Sequence, residues 1–135
     1  MAARRKTGAP ARASQPHPNP DRGEHSLMLG GTKYRLRPSH AAIVEIETAT
    51  DRSALELATI GNRGGLKRID MGTIAGALIR AGAADPLTAA VDDERIAELI
   101  GEEGTSSVMP RLTLCLLDAV TGGVDVSGNA KAAAA

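Results

Sequence analysis

The sequence predicts an α+β fold, mostly α-helical, in which an N-terminal β-hairpin packs on about five helices. Three observations lead there. Two short alternating runs flank a Gly-Gly step near the N-terminus, apolar residues recur at helical spacing from about residue 40 onward, and capping and stop residues punctuate that helical stretch.

The hairpin is formed by Leu27-Met28-Leu29 and Lys33-Tyr34-Arg35-Leu36-Arg37 around Gly30-Gly31-Thr32, where glycine supplies the positive φ of a tight turn. Alternation places Leu27 and Leu29 on one face with Tyr34 and Leu36, and Lys33, Arg35 and Arg37 on the other. A two-stranded ribbon is marginal alone, so it is expected to pack on a helix or pair with a strand of another chain.

Pro38 ends the strand and Ser39 caps a first helix with Ala42, Ile43, Ile46 and Ala49 at helical spacing, leaving Glu45 and Glu47 to water. Ser53-Ala54-Leu55-Glu56 has the form of a capping box and opens a second helix carrying Leu55, Leu57, Ala58 and Ile60, which ends at the glycines after Gly61. Asp70 is read as the cap of a third helix built on Ile74, Ala75, Leu78 and Ile79 and stopped by Ala81-Gly82. Its Gly72 and Gly76 weaken it by about 1 kcal/mol each unless another element approaches closely there. Asp92 begins a fourth, with Ile96, Leu99 and Ile100 inward. The fifth runs from about Ser106 to Val120, apolar on more than one side, and is stopped by Gly122-Gly123.

One domain fits 135 residues. Residues 1–24, rich in proline with scattered basic side chains, read as a flexible basic arm, 25–122 as a single globular domain with order beginning near Ser26, and 123–135 as a disordered tail. Lys plus Arg and Asp plus Glu number 16 each, so no net field draws the molecule to nucleic acid or anionic membrane. No segment resembles a signal peptide or a membrane span, and the single cysteine, Cys115, allows no internal disulfide, so the expected setting is cytoplasmic. Tyr34 is the sole aromatic residue. A core of Leu, Ile, Val, Met and Ala is lean, and possible homo-oligomer formation or a partner is expected to support it.

Catalytic constellations are missing from the pattern. Cys115 lies in Leu-Thr-Leu-Cys-Leu-Leu, an apolar setting that raises a thiol pKa and suits a core residue. His17, His25 and His40 have no ligand-spaced partners, and the acids Asp92, Asp93, Glu94, Glu98, Glu102 and Glu103 read as a wet helix face. The loop Gly61–Arg68 matches neither phosphate-binding glycine pattern. No enzyme activity, cofactor or metal is therefore expected. A small nucleic-acid-binding module resting on Arg4, Arg5, Lys67 and Arg68 is disfavoured by the balanced charge and the lack of stacking aromatics.

Arg22-Gly23-Glu24, Leu29-Gly30-Gly31, Tyr34-Arg35-Leu36-Arg37, Ala42-Ile43, Glu45-Ile46-Glu47 and Leu78-Ile79-Arg80-Ala81-Gly82, in that order, resemble the gene transfer agent family of phage-tail proteins over residues 22 to 122. Where that pattern has a glycine-containing turn after the first helix, this chain has Thr48-Ala49-Thr50-Asp51. The resemblance implies a role in building a phage-like tail. The expected form is a tail assembly chaperone binding tape-measure and tail-tube proteins; the alternative is a structural tail-tube component incorporated in the particle. It implies no catalytic residue. The candidate protein-interaction residues are Leu27, Leu29, Tyr34 and Leu36 of the hairpin and Met109, Leu112, Leu116 and Val120 of the last helix, with core packing as the competing reading for each.

Overall fold

The structure, a computed structural model, describes residues 17–122. The greater part of the expected basic arm, residues 1–16, and the expected tail, residues 123–135, lie outside the described residues. Within them, two strands are followed by six α-helices: β1 His25–Leu29, β2 Thr32–Leu36, α1 His40–Thr50, α2 Ala54–Asn62, α3 Arg68–Gly82, α4 Pro86–Ala89, α5 Asp93–Glu103 and α6 Thr105–Thr121. This is the expected α+β arrangement, with one more helix than expected.

The hairpin closes through a two-residue turn in which Gly30 and Gly31 both have positive φ, at 56° and 78°. Leu27 stands opposite Tyr34 and Leu29 opposite Thr32. Leu27, Leu29, Tyr34 and Leu36 are buried, while Met28 and Lys33 face outward, as the alternation requires.

Helix α3 is the centre of the molecule. Nine of its residues are buried, and it packs against α5, α1 and β2, while α2 packs chiefly on α6. The two glycines explain how α3 and α5 come so close. A Cβ built on Gly72 would stand 2.7 Å from the Ala97 Cβ, and one on Gly76 would meet the Asp93 carboxylate. Arg80 fastens the result, donating to Asp93 Oδ1 at 2.6 Å and to the Val91 carbonyl at 3.0 Å, and pairing with Glu45 of α1. Burial opposes its charge, but hydrogen bonds to Asp93 and Glu45 more than offset this and hold the guanidinium above its ordinary pKa.

Several local expectations hold and others are corrected. Ser39 and Ser53 cap α1 and α2, the latter as a full capping box with Glu56. Asp70 does not cap α3; the helix begins three residues earlier than that cap would set it, with Lys67 at the cap position and no side-chain bond, and Asp70 sits in its first turn. Glu47 is not left to water, because its Oε2 accepts from the Ala54 amide at 2.8 Å and ties α1 to the start of α2. Ala49 is exposed and Leu99 only partly buried. Asp51 takes the left-handed conformation, φ 55°, at the C-cap of α1, filling the place of a turn glycine.

Order also begins before Ser26. Pro20–Arg22 form a 3-10 turn capped by Asn19, and the Glu24 side chain is fully buried. Its carboxylate accepts from the Asn19 amide at 2.7 Å and from Arg22 Nε at 2.9 Å, with Arg37 and Arg35 at 3.9 and 4.0 Å. A buried carboxylate needs such compensation. It comes chiefly from Asn19 and Arg22 of the 3-10 turn, with Arg35 and Arg37 adding positive charge at longer range.

Candidate interaction surface

The antiparallel register decides which backbone groups of the hairpin are free. A two-residue turn is closed by a hydrogen-bonded pair, here Leu29 and Thr32, so Leu27–Tyr34 and His25–Leu36 are the other bonded pairs. The amides and carbonyls of Ser26 and Met28 therefore point away from β2 along the outer edge of β1. Those of Lys33 and Arg35 point away from β1.

The two edges have different fates. On the β2 side the Arg37 amide donates to the Leu78 carbonyl at 3.0 Å, Arg35 Nε donates to the Gly82 carbonyl at 2.9 Å, and Gly82 lies so close that a Cβ there would overlap the Arg35 carbonyl. Helix α3 thus covers the Arg35–Arg37 end of this edge. On the β1 side, among the described residues, no backbone hydrogen bond from another element reaches Ser26 or Met28. Met28 is 49% exposed.

Side chains near β1 anchor it to the last helix. His25 Nε2 lies 2.5 Å from Asp118 Oδ2 and Arg111 Nη1 lies 3.3 Å from His25 Nδ1. A guanidinium can only donate, so Nδ1 accepts and the ring proton sits on Nε2, facing the carboxylate. Sequence reasoning missed this arrangement, since Asp118 is 93 residues from His25 and no local spacing announces it.

Of the eight predicted contact residues, Leu27, Leu29, Tyr34, Leu36, Met109, Leu112 and Leu116 lie in the hydrophobic core, and Val120 is 40% exposed. The structure therefore brings the first seven together as packing groups of one core. On α6 the most exposed large apolar side chain is Leu114, at 48%. A cleft of about 440 Å³ opens between the hairpin turn, at Leu29, Gly30 and Thr32, and the α4–α5 region, at Leu87, Val91 and Leu99.

Cys115 is fully buried, its thiol 3.8 Å from the Gly23 carbonyl, and burial, with a smaller contribution from Asp118, pushes its pKa up to about 12. A thiol in that state is a poor nucleophile. Among the described residues no three potential metal ligands converge, and no helix is long and apolar enough to cross a membrane. After α2, Arg63 and Lys67 of the loop and Arg68 at the start of α3 are all exposed.

A family model described as "phage tail tube protein, GTA-gp10" matches residues 22–122, from the arginine beside Glu24 to the glycine that ends α6. No curated protein and no solved structure matches the chain. The match spans about three quarters of the sequence and the whole hairpin-and-helix body, the same span over which the sequence resembles the gene transfer agent proteins. The chain belongs to this gene transfer agent family of phage-tail proteins.

Proposed function

We propose that this chain is a non-enzymatic tail-assembly factor, a chaperone that acts in the cytoplasm and holds an extended segment of a partner tail protein against β1. Tape-measure and tail-tube proteins are the proposed partners. The observation that carries this reading is the inequality of the two hairpin edges. Ser26 and Met28 each offer one outward donor and one acceptor, whereas on β2 the Arg35 carbonyl abuts Gly82 of α3 and the Arg37 amide just beyond the strand is bonded to Leu78. Strand addition at β1 would form backbone hydrogen bonds contributing about 0.5–1.5 kcal/mol each, with Met28 adding apolar contact. A sheet with one open edge accepts one strand and stops. That suits holding a client, whereas a wall built by repeating sheets needs two open edges.

The test is co-expression of the tagged chain with the tape-measure and tail-tube proteins encoded beside it. Recovery of a soluble complex is expected. Met28→Pro removes an outward amide that no intrahairpin bond uses, so the fold should persist while the complex is lost. A folded Met28→Pro chain that still captures its partners would remove strand addition from the reading. Failure of the wild-type chain to associate with either protein would remove the chaperone role.

The family description itself favours a second reading, a structural subunit of the tail tube. Finished particles separate the two. A tube subunit is present there at high copy, and a chaperone is absent.

A further inference from the structure

The charges of the chain are divided unevenly. Residues 17–122 hold 11 Lys and Arg against 15 Asp and Glu, a net −4, while residues 1–16 hold four basic residues, Arg4, Arg5, Lys6 and Arg12, and no acid, a net +4. Residues 123–135 hold one of each. The electroneutrality of the whole thus hides an acidic body and a basic segment of matching size.

Within the body the excess is concentrated on α5 and its cap. Residues 92–103 hold six acids and one base, Arg95. Glu94, Glu98 and Glu102 recur at i, i+4 and i+8, a spacing that stacks like charges on one helix face and destabilises it by a few tenths of a kcal/mol per pair. Arg95 pairs with Glu98, but among the described residues no ion pair reaches Glu94, Glu102 or Glu103. Several of the body's cations are engaged with other acids: Arg22, Arg35 and Arg37 surround Glu24, Arg80 bridges Glu45 and Asp93, and Arg52 pairs with Glu56, which leaves Arg68, over Gly101, as the base that lines this side of α5.

Beside this face runs a groove of about 660 Å³ between α3 and α5. Its wall is apolar at Ile69 and Ala97, Arg68 lines one end against four acids, Asp92, Asp93, Glu94 and Glu98, and Ile69, 72% exposed, is the most exposed large apolar side chain of the body. Gly72 draws the two helices together beneath it.

We infer that this groove is the docking site of the chain's own basic N-terminal segment, residues 4–12, whose Arg4, Arg5, Lys6 and Arg12 neutralise the α5 acids while its Ala and Pro side chains cover Ile69. Reach is sufficient. At roughly 3.3 Å per residue, Arg12 extends about 17 Å and Arg4 about 43 Å from His17, and a body of this size is roughly 35 Å across. Tethering favours the chain's own segment over that of a second copy, because a short connection keeps it near millimolar effective concentration. The segment lies outside the residues matched by the family, so the docking belongs to this chain and does not rest on the tail-assembly reading.

A nitroxide on full-length Ala9→Cys tests it, since buried, protonated Cys115 does not take the label. In low salt, the amides of Ile69, Thr73 and Ala97 should broaden selectively, and the broadening should vanish at 1 M salt, where the Debye length falls to about 3 Å. It should also vanish in Glu94→Lys/Glu98→Lys/Glu102→Lys and in Arg4→Glu/Arg5→Glu/Lys6→Glu, the second of which leaves every described residue untouched. Absence of selective broadening in low salt overturns the inference. So does broadening in an isotope-labelled chain without the nitroxide mixed with an unlabelled chain that carries it, which would assign the groove to a second copy. If low-salt broadening is absent and a DNA duplex instead shifts the segment's resonances, its charge serves nucleic acid.

Discussion

Replacing Gly72 by alanine sets two effects against each other. Alanine is favoured over glycine in a helix interior by about 1 kcal/mol, and on that ground the exchange should stabilise α3. The structure reverses the sign. The new Cβ would stand 2.7 Å from the Ala97 Cβ and 2.8 Å from the Asp93 carbonyl oxygen, against an ordinary carbon–carbon contact of about 3.5–4.0 Å. Neither neighbour can rotate away, because one is a carbonyl and the other a methyl fixed to its backbone. Helix α5 must therefore retreat by about 1 Å, loosening its contacts with α3 and the Arg80 bonds to Asp93 and Val91. Overpacking of this kind costs about 3 kcal/mol, so the net loss should be about 2 kcal/mol. Urea unfolding measures it directly, and at 4–8 °C per kcal/mol a thermal scan should show a fall of roughly 10 °C. An unchanged or raised midpoint would refute the close-packing account of this glycine.

Gly101→Ala supplies the contrast, since its Cβ would meet only the Arg68 guanidinium, the movable end of a long side chain, and the exchange should be neutral or stabilise by up to about 1 kcal/mol in the same assay. Leu116→Asp should abolish folding because it places an unpaired carboxylate at a fully buried position, whereas Leu114→Asp, on the exposed face of the same helix, should keep native circular dichroism. Cys115 should make stability fall in alkali: its folded pKa of about 12 lies above the ordinary 9.0, so the native thiol keeps a proton that the unfolded one loses. Its contribution is complete below about pH 9 and disappears as pH rises towards 12. Cys115→Ala should lack that part of the slope, and an alkylating reagent at pH 8 should modify the wild-type thiol only once the protein unfolds.

The elements that could be read from sequence are those whose signals are local. Gly30-Gly31 sits where both residues need positive φ, and the Ser53–Glu56 box closes on itself within one turn, so each announces its structure over a few residues. The errors arise where a distant group takes over. Asp70 has the chemistry of a cap, but α3 starts at Arg68 because its first turn packs beside α5, with the Arg68 guanidinium lying over Gly101. Glu47 fell on a wet face by periodicity and was recruited by the Ala54 amide across the α1–α2 turn. For the interaction surface the limitation is more basic. Alternation and helical spacing identify inward residues, so the strongest apolar signals, Leu36, Leu112 and Leu116, mark the core. An open sheet edge is made of backbone groups, whose identity does not depend on side chains. It could be located at Ser26 and Met28 only once register and the neighbour of β2 were known.

The core is filled without Phe or Trp, and the spacing of its helices shows how. Large side chains are needed when helices stand far enough apart to leave volume between them. Here Gly72 and Gly76 let α5 approach α3 until a methyl group would overlap, and Gly61 does the same for α2 beside Thr113 of α6. Helices set that close fill the space between them with backbone and small residues, so Ile, Leu and Met at the remaining positions suffice to close the core. The same economy makes the body intolerant of small additions along those seams, which is why a single methyl at Gly72 should be costly.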